Sequence, residues 1–393
     1  MEYKNKHPFL WVMQREWKSI WGKWPYLFMT IVGPLAGFFL VMWLFSANVP
    51  RDLPVAVIDL DHSSLSRQVS RMVDATPIAK INADYVSLEE AKESLEKGEI
   101  DAIIYIPKDL GKDIIKGGSS QVTLYVNNVN VVKSGLIGSG IPKALATLSA
   151  GIKVQSLMMK GSTQRQAIAQ AMPVSLRPVI LFNPYTSYSY YLTFGFLPVM
   201  LIVFTLMGSI YAIGTELQYK TCDVWLHLAN DNILTALAGK LLPYTILYSV
   251  MAMFMNMILF NRLGLPLKGD LSIILTSEFL MILSYQALAV FMVGFSSNLR
   301  LSLSLGAAYT MMALTFSGLT FPLFGMPAIA QAFAHIFPFT YWLKIFISQS
   351  LRGEPAINSI IPLYAFFAFI ALGLLFIPRL KYVLQHEKFW GKI

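Results

Sequence analysis

Six stretches of the chain are almost unbroken runs of apolar residues: 24–46, 190–214, 238–260, 271–296, 301–325 and 358–378. A hydrocarbon core about 30 Å thick is crossed by a helix of around 20 such residues, so each run predicts a transmembrane helix. Pro34, Pro198 and Pro243 fall inside these runs, where neighbouring helices can satisfy the carbonyls a proline frees. The first run lacks a small-residue cleavage site and precedes a segment that looks folded, which marks a retained anchor. Ahead of it, residues 8–22 (PFLWVMQREWKSIWG) are too few to span. There Phe9, Leu10, Met13, Trp17, Ile20 and Trp21 recur at three- and four-residue spacing opposite Gln14, Arg15 and Lys18. That pattern predicts an amphipathic helix lying in the membrane interface, with its tryptophans at headgroup depth.

Between the first two runs the period changes. LPVAVIDLD at 53–61, IAKINADYV at 78–86, DAIIYIP at 101–107 and QVTLYVNN at 121–128 read as strands. SSLSRQVSRMVDA, SLEEAKESLEKGEI and DLGKDIIKG read as helices between them, the first opened by a serine N-cap. Strands alternating with helices of about ten residues predict a small α/β layer. Residues 130–172 become helical, with breaks expected near Pro142 and Gly161, in the form of a helical hairpin or bent stalk. Segment 326–352 is apolar but interrupted by Pro327, His335 and Pro338. Its pieces 328–337 and 339–351 are each too short to cross, so a re-entrant helical pair is expected.

Composition agrees with this division. Apolar residues make up 55% of the 393 and charged residues only 13%, about half the share of a soluble domain, which excludes disorder and collagen. A single cysteine, Cys222, excludes an intrachain disulfide. The net charge of +9 calls for no nucleic acid, because Lys and Arg collect on the cytoplasmic side of membrane proteins. Twelve fall on one side of the predicted spans: Lys4, Lys6, Arg15, Lys18, Lys23, Lys220, Lys240, Arg300, Arg379, Lys381, Lys388 and Lys392. Four short-segment cations, Arg262, Lys268, Lys344 and Arg352, fall on the other. Both termini are therefore expected in the cytoplasm and residues 47–189 outside.

Catalytic patterns are few. Gly239-Lys240 is followed by Leu241 and not by Ser or Thr, so no phosphate-binding loop is formed. Asp59, Asp61 and His62 resemble a metal cluster, but they lie where a strand meets a helix and capping or turn duties are the expected use. The five histidines show no H-E-x-x-H spacing, and no serine lies in G-x-S-x-G. Glu278 is the one acid well inside a predicted span, some seven residues from its end, or ~10 Å deep. Two readings stay open for it: a functional intramembrane carboxylate, or a helix-end acid tucked against Tyr285 or Gln286.

One span, a large external domain and then five spans resembles the permease subunits of type-2 ABC exporters, and the resemblance covers nearly the whole chain. It is carried by PVAVIDLDHSSLSR and SLEEAKESLEKGEIDAIIYIPKDLGKDI, similar to the multidrug-exporter-like branch. It is also carried by Phe182–Pro184 (FNP), by GTELQYKTCDVWL after span two, and by SGLTFPLFGMPAIAQAFAHIFPFTYW leading to LRG at 351–353. Against the family's Glu-Arg-Glu-x-Gly-Thr run, Glu216 and Thr221 match, while Leu217, Gln218 and Lys220 depart. Since Lys and Gln are better helix formers than Gly, a helix is expected to persist there.

The resemblance implies a polytopic α-helical protein of six spans with an α/β extracytoplasmic domain. It implies a permease of the inner membrane that binds no cofactor itself, with ATP and Mg on two copies of a partner ATPase. Loop 215–237 would be the coupling element, through Glu216, Gln218, Tyr219, Lys220, Thr221, Asp223 and Trp225. Phe321, Pro322, Met326, Pro327, Pro338 and Tyr341 would belong to the re-entrant outer gate. Phe196, Phe204, Met207 and Phe316 form a weak group of pathway-lining candidates. A second permease copy or paralogue would complete the pore, a periplasmic adaptor would meet the external domain, and the cargo would be a hydrophobic or amphipathic drug-like molecule or lipid. The competing readings are a non-pumping receptor or scaffold for adhesion or phage attachment, and an ion-coupled carrier centred on Glu278.

Overall fold

The computed structural model describes residues 7–46, 49–173 and 188–391, which fall into two compact units, one of residues 1–48 and 180–393 and the other of residues 49–179. The first unit opens with α1 (Pro8–Gly22), whose predicted boundaries hold. Lys23 breaks the helix in an extended conformation before α2 (Trp24–Leu27). A π-helical turn over Phe28–Val32 then leads into α3 (Gly33–Leu44). Together Trp24–Leu44 are long and apolar enough to cross a membrane.

The α/β unit follows the predicted order closely. It runs β1 (Leu53–Asp59), α4 (Ser64–Asp74), β2 (Ala79–Asp84), α5 (Leu88–Lys97), β3 (Ala102–Ile106), α6 (Leu110–Ile115) and β4 (Thr123–Val126). The sheet order is β2-β1-β3-β4, with β1 parallel to both neighbours and β4 antiparallel at the edge. Alternation along β1 explains the two-sided core: Val55 and Val57 pack with Val69 and Val73 of α4, while Ala56 and Ile58 pack with Ala91 of α5. Ser63 caps α4 by accepting from the N–H groups of Leu65 and Ser66, both at 3.1 Å, and Ser87 caps α5 through Glu90 N–H at 3.2 Å. Beyond the sheet come α7 (Val131–Met159) and α8 (Gln164–Ala171). Of the two expected breaks, the one at Pro142 is absent, for α7 runs straight through it, while the one at Gly161 is present, with a φ of +94 that suits glycine.

The remaining helices complete the first unit. They are α9 (Tyr188–Gln218), α10 (Cys222–Leu228), α11 (Ile233–Asn256, continued as a π-helical turn to Arg262), α12 (Leu271–Ser296) and α13 (Leu299–Phe316). Two short helices follow, α14 (Ala328–Ala334) and α15 (Pro338–Phe346), then α16 (Ile357–Gln385). Six helical segments among the described residues are long and apolar enough to cross a membrane, at the six predicted places. The fifth stops at Phe316 and not at 325, because Gly318 turns with φ +96. The third begins at Ile233, five residues earlier than predicted, since Asn232 caps it by accepting from Leu234 and Thr235 N–H. The reversal between α14 and α15 at His335–Phe337 forms the expected pair of short helices. Its second member is deeply buried through Phe339, Trp342 and Phe346. The motif Phe182–Pro184 lies outside the described residues.

Candidate functional site

Amphipathic helix α1 does more than lie on a surface. Val12, Glu16 and Ile20, spaced at four residues, are all buried, and this stripe faces α11. Gly239 makes the approach possible: a Cβ there would stand 3.0 Å from both Phe9 O and Val12 Cβ. The Gly-Lys pair that forms no phosphate loop thus has a packing role in its glycine and an electrostatic one in its lysine.

Lys240 is fully buried ~10 Å along α11. Its Nζ donates to Glu16 Oε2 at 2.8 Å and to Glu216 Oε1 at 2.7 Å. Glu16 Oε1 accepts from the Tyr244 hydroxyl at 2.9 Å. Glu216 Oε2 accepts from Arg15 Nη2 at 2.9 Å and from the Thr221 hydroxyl. One residue before Glu216 on α9, the hydroxyls of Thr215 and Tyr26 share a hydrogen bond at 2.7 Å. Two cations thus meet two carboxylates, and the described cluster carries no net charge. Buried charges persist only when paired and hydrogen-bonded, and here α1, α9 and α11 each contribute at least one of the four.

Short helix α10 closes the cluster from outside. The Trp225 ring lies 4.8 Å from Lys240 Nζ, a cation–π contact, and its indole Nε1 donates to Ala236 O at 3.3 Å. Cys222 is buried beside it; burial pushes its thiol up to about 12, and the nearby Glu216 and Asp223 add to the shift. The C-terminal end joins here as well, where Gly391 N–H donates to Leu217 O at 2.9 Å.

The predicted coupling residues divide into two sets. Glu216, Thr221 and Trp225 are braces turned inward, and Gln218 is half-buried. Tyr219, Lys220 and Asp223 are exposed, Tyr219 at 62%, together with Val224 and His227. The helix expected to persist over Lys220 does not: α9 ends at Gln218, and Lys220 has φ +58. A lysine therefore occupies the left-handed position to which the family's glycine is suited.

Of the gate candidates, Pro338 is buried and Tyr341 half-buried on α15, whereas Phe321, Pro322 and Pro327 are exposed and Met326 is half-buried. The pathway candidates are all half-buried and packed within this chain: Phe196 against Phe45, Phe204 edge-on to Phe28, Phe316 against Phe333, and Met207 over Gly306. Glu278 is buried, and its partner is neither Tyr285 nor Gln286. Asn256 of α11 donates to its Oε2 at 2.7 Å. Asp59 and Asp61 do perform turn duties: Asp59 Oδ1 accepts from the N–H groups of Asp61 and His62, and Asp61 Oδ2 from Gly111 N–H. Among the described residues no group of three potential metal ligands occurs.

Arg15, Glu16, Lys240 and Tyr244 were missed as site residues. Two signals were available: Glu16 stands in register between apolar Val12 and Ile20, and the Asp231-Asn232 cap places Lys240 two turns inside a helix.

Six apolar spanning helices and an inserted α/β unit, with a charge-braced helix end, define a multi-pass membrane protein. The model of the ABC-2 family transporter protein matches residues 24–377, and the chain belongs to that family. It is thus the membrane component of an ABC transporter, a class that works with an ATPase subunit. No curated protein matches the chain.

Proposed function

We propose that the chain is the permease of an ATP-driven exporter, working as a dimer with a second copy or a paralogue. An ATPase subunit docks on the exposed side of the turn 219–232, at Tyr219, Lys220, Asp223, Val224 and His227. The single observation that carries this reading is the neutral buried cluster behind that surface. Because α10 rests on Lys240 through Trp225, and Lys240 holds Glu16 and Glu216, a force on α10 is delivered to α1, α9 and α11 together. This end of the bundle holds the excess of Lys and Arg, which supports a cytoplasmic placement. The α/β unit would then lie outside, where it guides cargo or meets a periplasmic adaptor. The apolar character of the spans favours a hydrophobic or amphipathic cargo.

Co-purification with the cognate ATPase tests the reading. A Tyr219→Ala, Asp223→Lys, Val224→Asp triple variant is expected to lose the ATPase while still inserting and keeping Cys222 shielded from maleimide. Full retention of the ATPase, with unchanged ATP-driven transport in vesicles, would overturn it.

A further inference from the structure

In the α/β unit a cavity of about 580 Å³ opens outside the carboxyl ends of β1 and β2. Open α/β sheets bind ligands outside the carboxyl ends of their parallel strands. The neighbouring crevice between β1 and β3 is shut, because Asp61 Oδ2 accepts from Gly111 N–H at 3.0 Å and the Ser63 side chain lies against the same glycine. On the β2 side the space stays open. Tyr85 forms its wall, held there by its N–H donating to Val57 O at 3.1 Å.

The charge of this cavity is unusual for its position. Arg67 and Arg71 stand one turn apart on α4 and both line it, with Ser70 between them. Arg67 Nη1 donates to His62 O at 2.8 Å, which fixes its guanidinium at the rim and leaves its other N–H groups available. Among the described residues the Arg71 side chain makes no hydrogen bond or ion pair. Asp59, the one acid described in the wall, is already engaged by the N–H groups of Asp61 and His62. Burial works against it, but hydrogen bonds from Ser66, His62 and Asp61 hold its carboxyl below the usual range. Two guanidiniums face one occupied carboxylate, beside the apolar surfaces of Leu60 and Tyr85.

We propose that this cavity binds a small organic anion. The carboxylate or phosphate is gripped by Arg67 and Arg71, whose planar forks match such groups. Ser70 adds a hydroxyl donor, and the apolar body rests against Leu60 and Tyr85. The site makes no use of the charge cluster, so it stands or falls apart from the reading of the chain as an exporter.

The test uses the full-length protein in phosphatidylcholine nanodiscs, with naphthoate as the anionic probe and naphthylmethanol as its neutral counterpart. Equilibrium dialysis against empty nanodiscs reads affinity, and amide hydrogen exchange over 57–71 and 85–88 reads location. Naphthoate is expected to bind saturably and to slow exchange in those segments. The Arg67→Gln, Arg71→Gln double variant should weaken it at least tenfold, and Arg67→Lys, Arg71→Lys should recover part of the loss. Repeating the titration in phosphatidylglycerol nanodiscs separates the sources: competition there assigns the anion to a lipid headgroup, and unchanged affinity to a soluble compound. Equal binding by the Gln variant, or binding of the alcohol as tight as that of the acid, overturns the proposal.

Discussion

The membrane unit holds buried acids in two settings. At one end, Glu16 and Glu216 share Lys240, and Arg15 pairs with Glu216, across three helices. Along α12, the one hydrogen-bond partner of Glu278 among the described residues is the neutral amide of Asn256. The first setting is a bracket of opposite charges, in which each member is tolerated because the others are present. The second is a single polar pair joining two adjacent helices, where hydrogen bonding alone holds the contact. Buried acids are therefore not equivalent as functional signals: the bracket fixes the mutual placement of distant segments, while the pair stitches neighbours.

The sharpest way to break that contrast is to remove the shared cation. Lys240→Met leaves two carboxylates buried without it, and about 3–5 kcal/mol of stability should be lost. The loss would be read as a fall in thermal midpoint of the purified protein. Cys222 supplies an internal reporter, being the only cysteine and kept as a protonated, buried thiol at neutral pH. Maleimide labelling should be slow in the parent and fast in Lys240→Met. Unchanged labelling would show that the bracket does not hold α10 in place.

Two intermediate effects sharpen the difference. Arg15 is partly exposed, so Arg15→Gln should cost only about 1–2 kcal/mol, and its cost should vanish in a Glu216→Gln background, as a double-mutant cycle would reveal. In the other setting, Asn256→Leu should cost about 1–3 kcal/mol by stranding a buried carboxyl group. Glu278→Gln, which keeps shape and hydrogen-bonding capacity, should cost less than 1 kcal/mol. ATP-driven transport that survives Glu278→Gln would also dismiss the ion-coupled reading. A large loss of transport in Glu278→Gln at unchanged stability would instead make that carboxylate functional.

The smallest expected effect lies at the corner between α9 and α10. Lys220→Gly removes a left-handed lysine and should stabilise by about 1 kcal/mol or less, with the ATPase contact weakened only as far as the lysine charge contributes. A destabilising result would mean that the side chain packs more than its exposure suggests.

The spans were legible because a hydrocarbon solvent demands long apolar runs, and the α/β unit because alternation and serine caps act locally. Span ends were less so: the Gly318 turn cut one run short and the Asn232 cap lengthened another. Glu278 was conspicuous in the sequence because it stands alone in an apolar run. The bracket was not, since Glu16 and Lys240 are separated by more than two hundred residues and each resembles an ordinary flank charge. Glu216 was found only through the family motif, and its inward direction became clear only once α1 was seen to cover it. Long-range charge pairing leaves no periodic trace, so contact geometry alone reveals it.

The hydrogen bond from Gly391 to Leu217 carries a practical consequence. It holds Gly391 beside Lys220, where a Cβ would touch that side chain's Cε at 2.8 Å. Bulk introduced at Gly391 would stand next to the surface proposed for the ATPase subunit, and is expected to compete with docking there. Handles are better placed in the exposed turn at Lys160–Gly161, so that lost coupling is not mistaken for a property of the native chain.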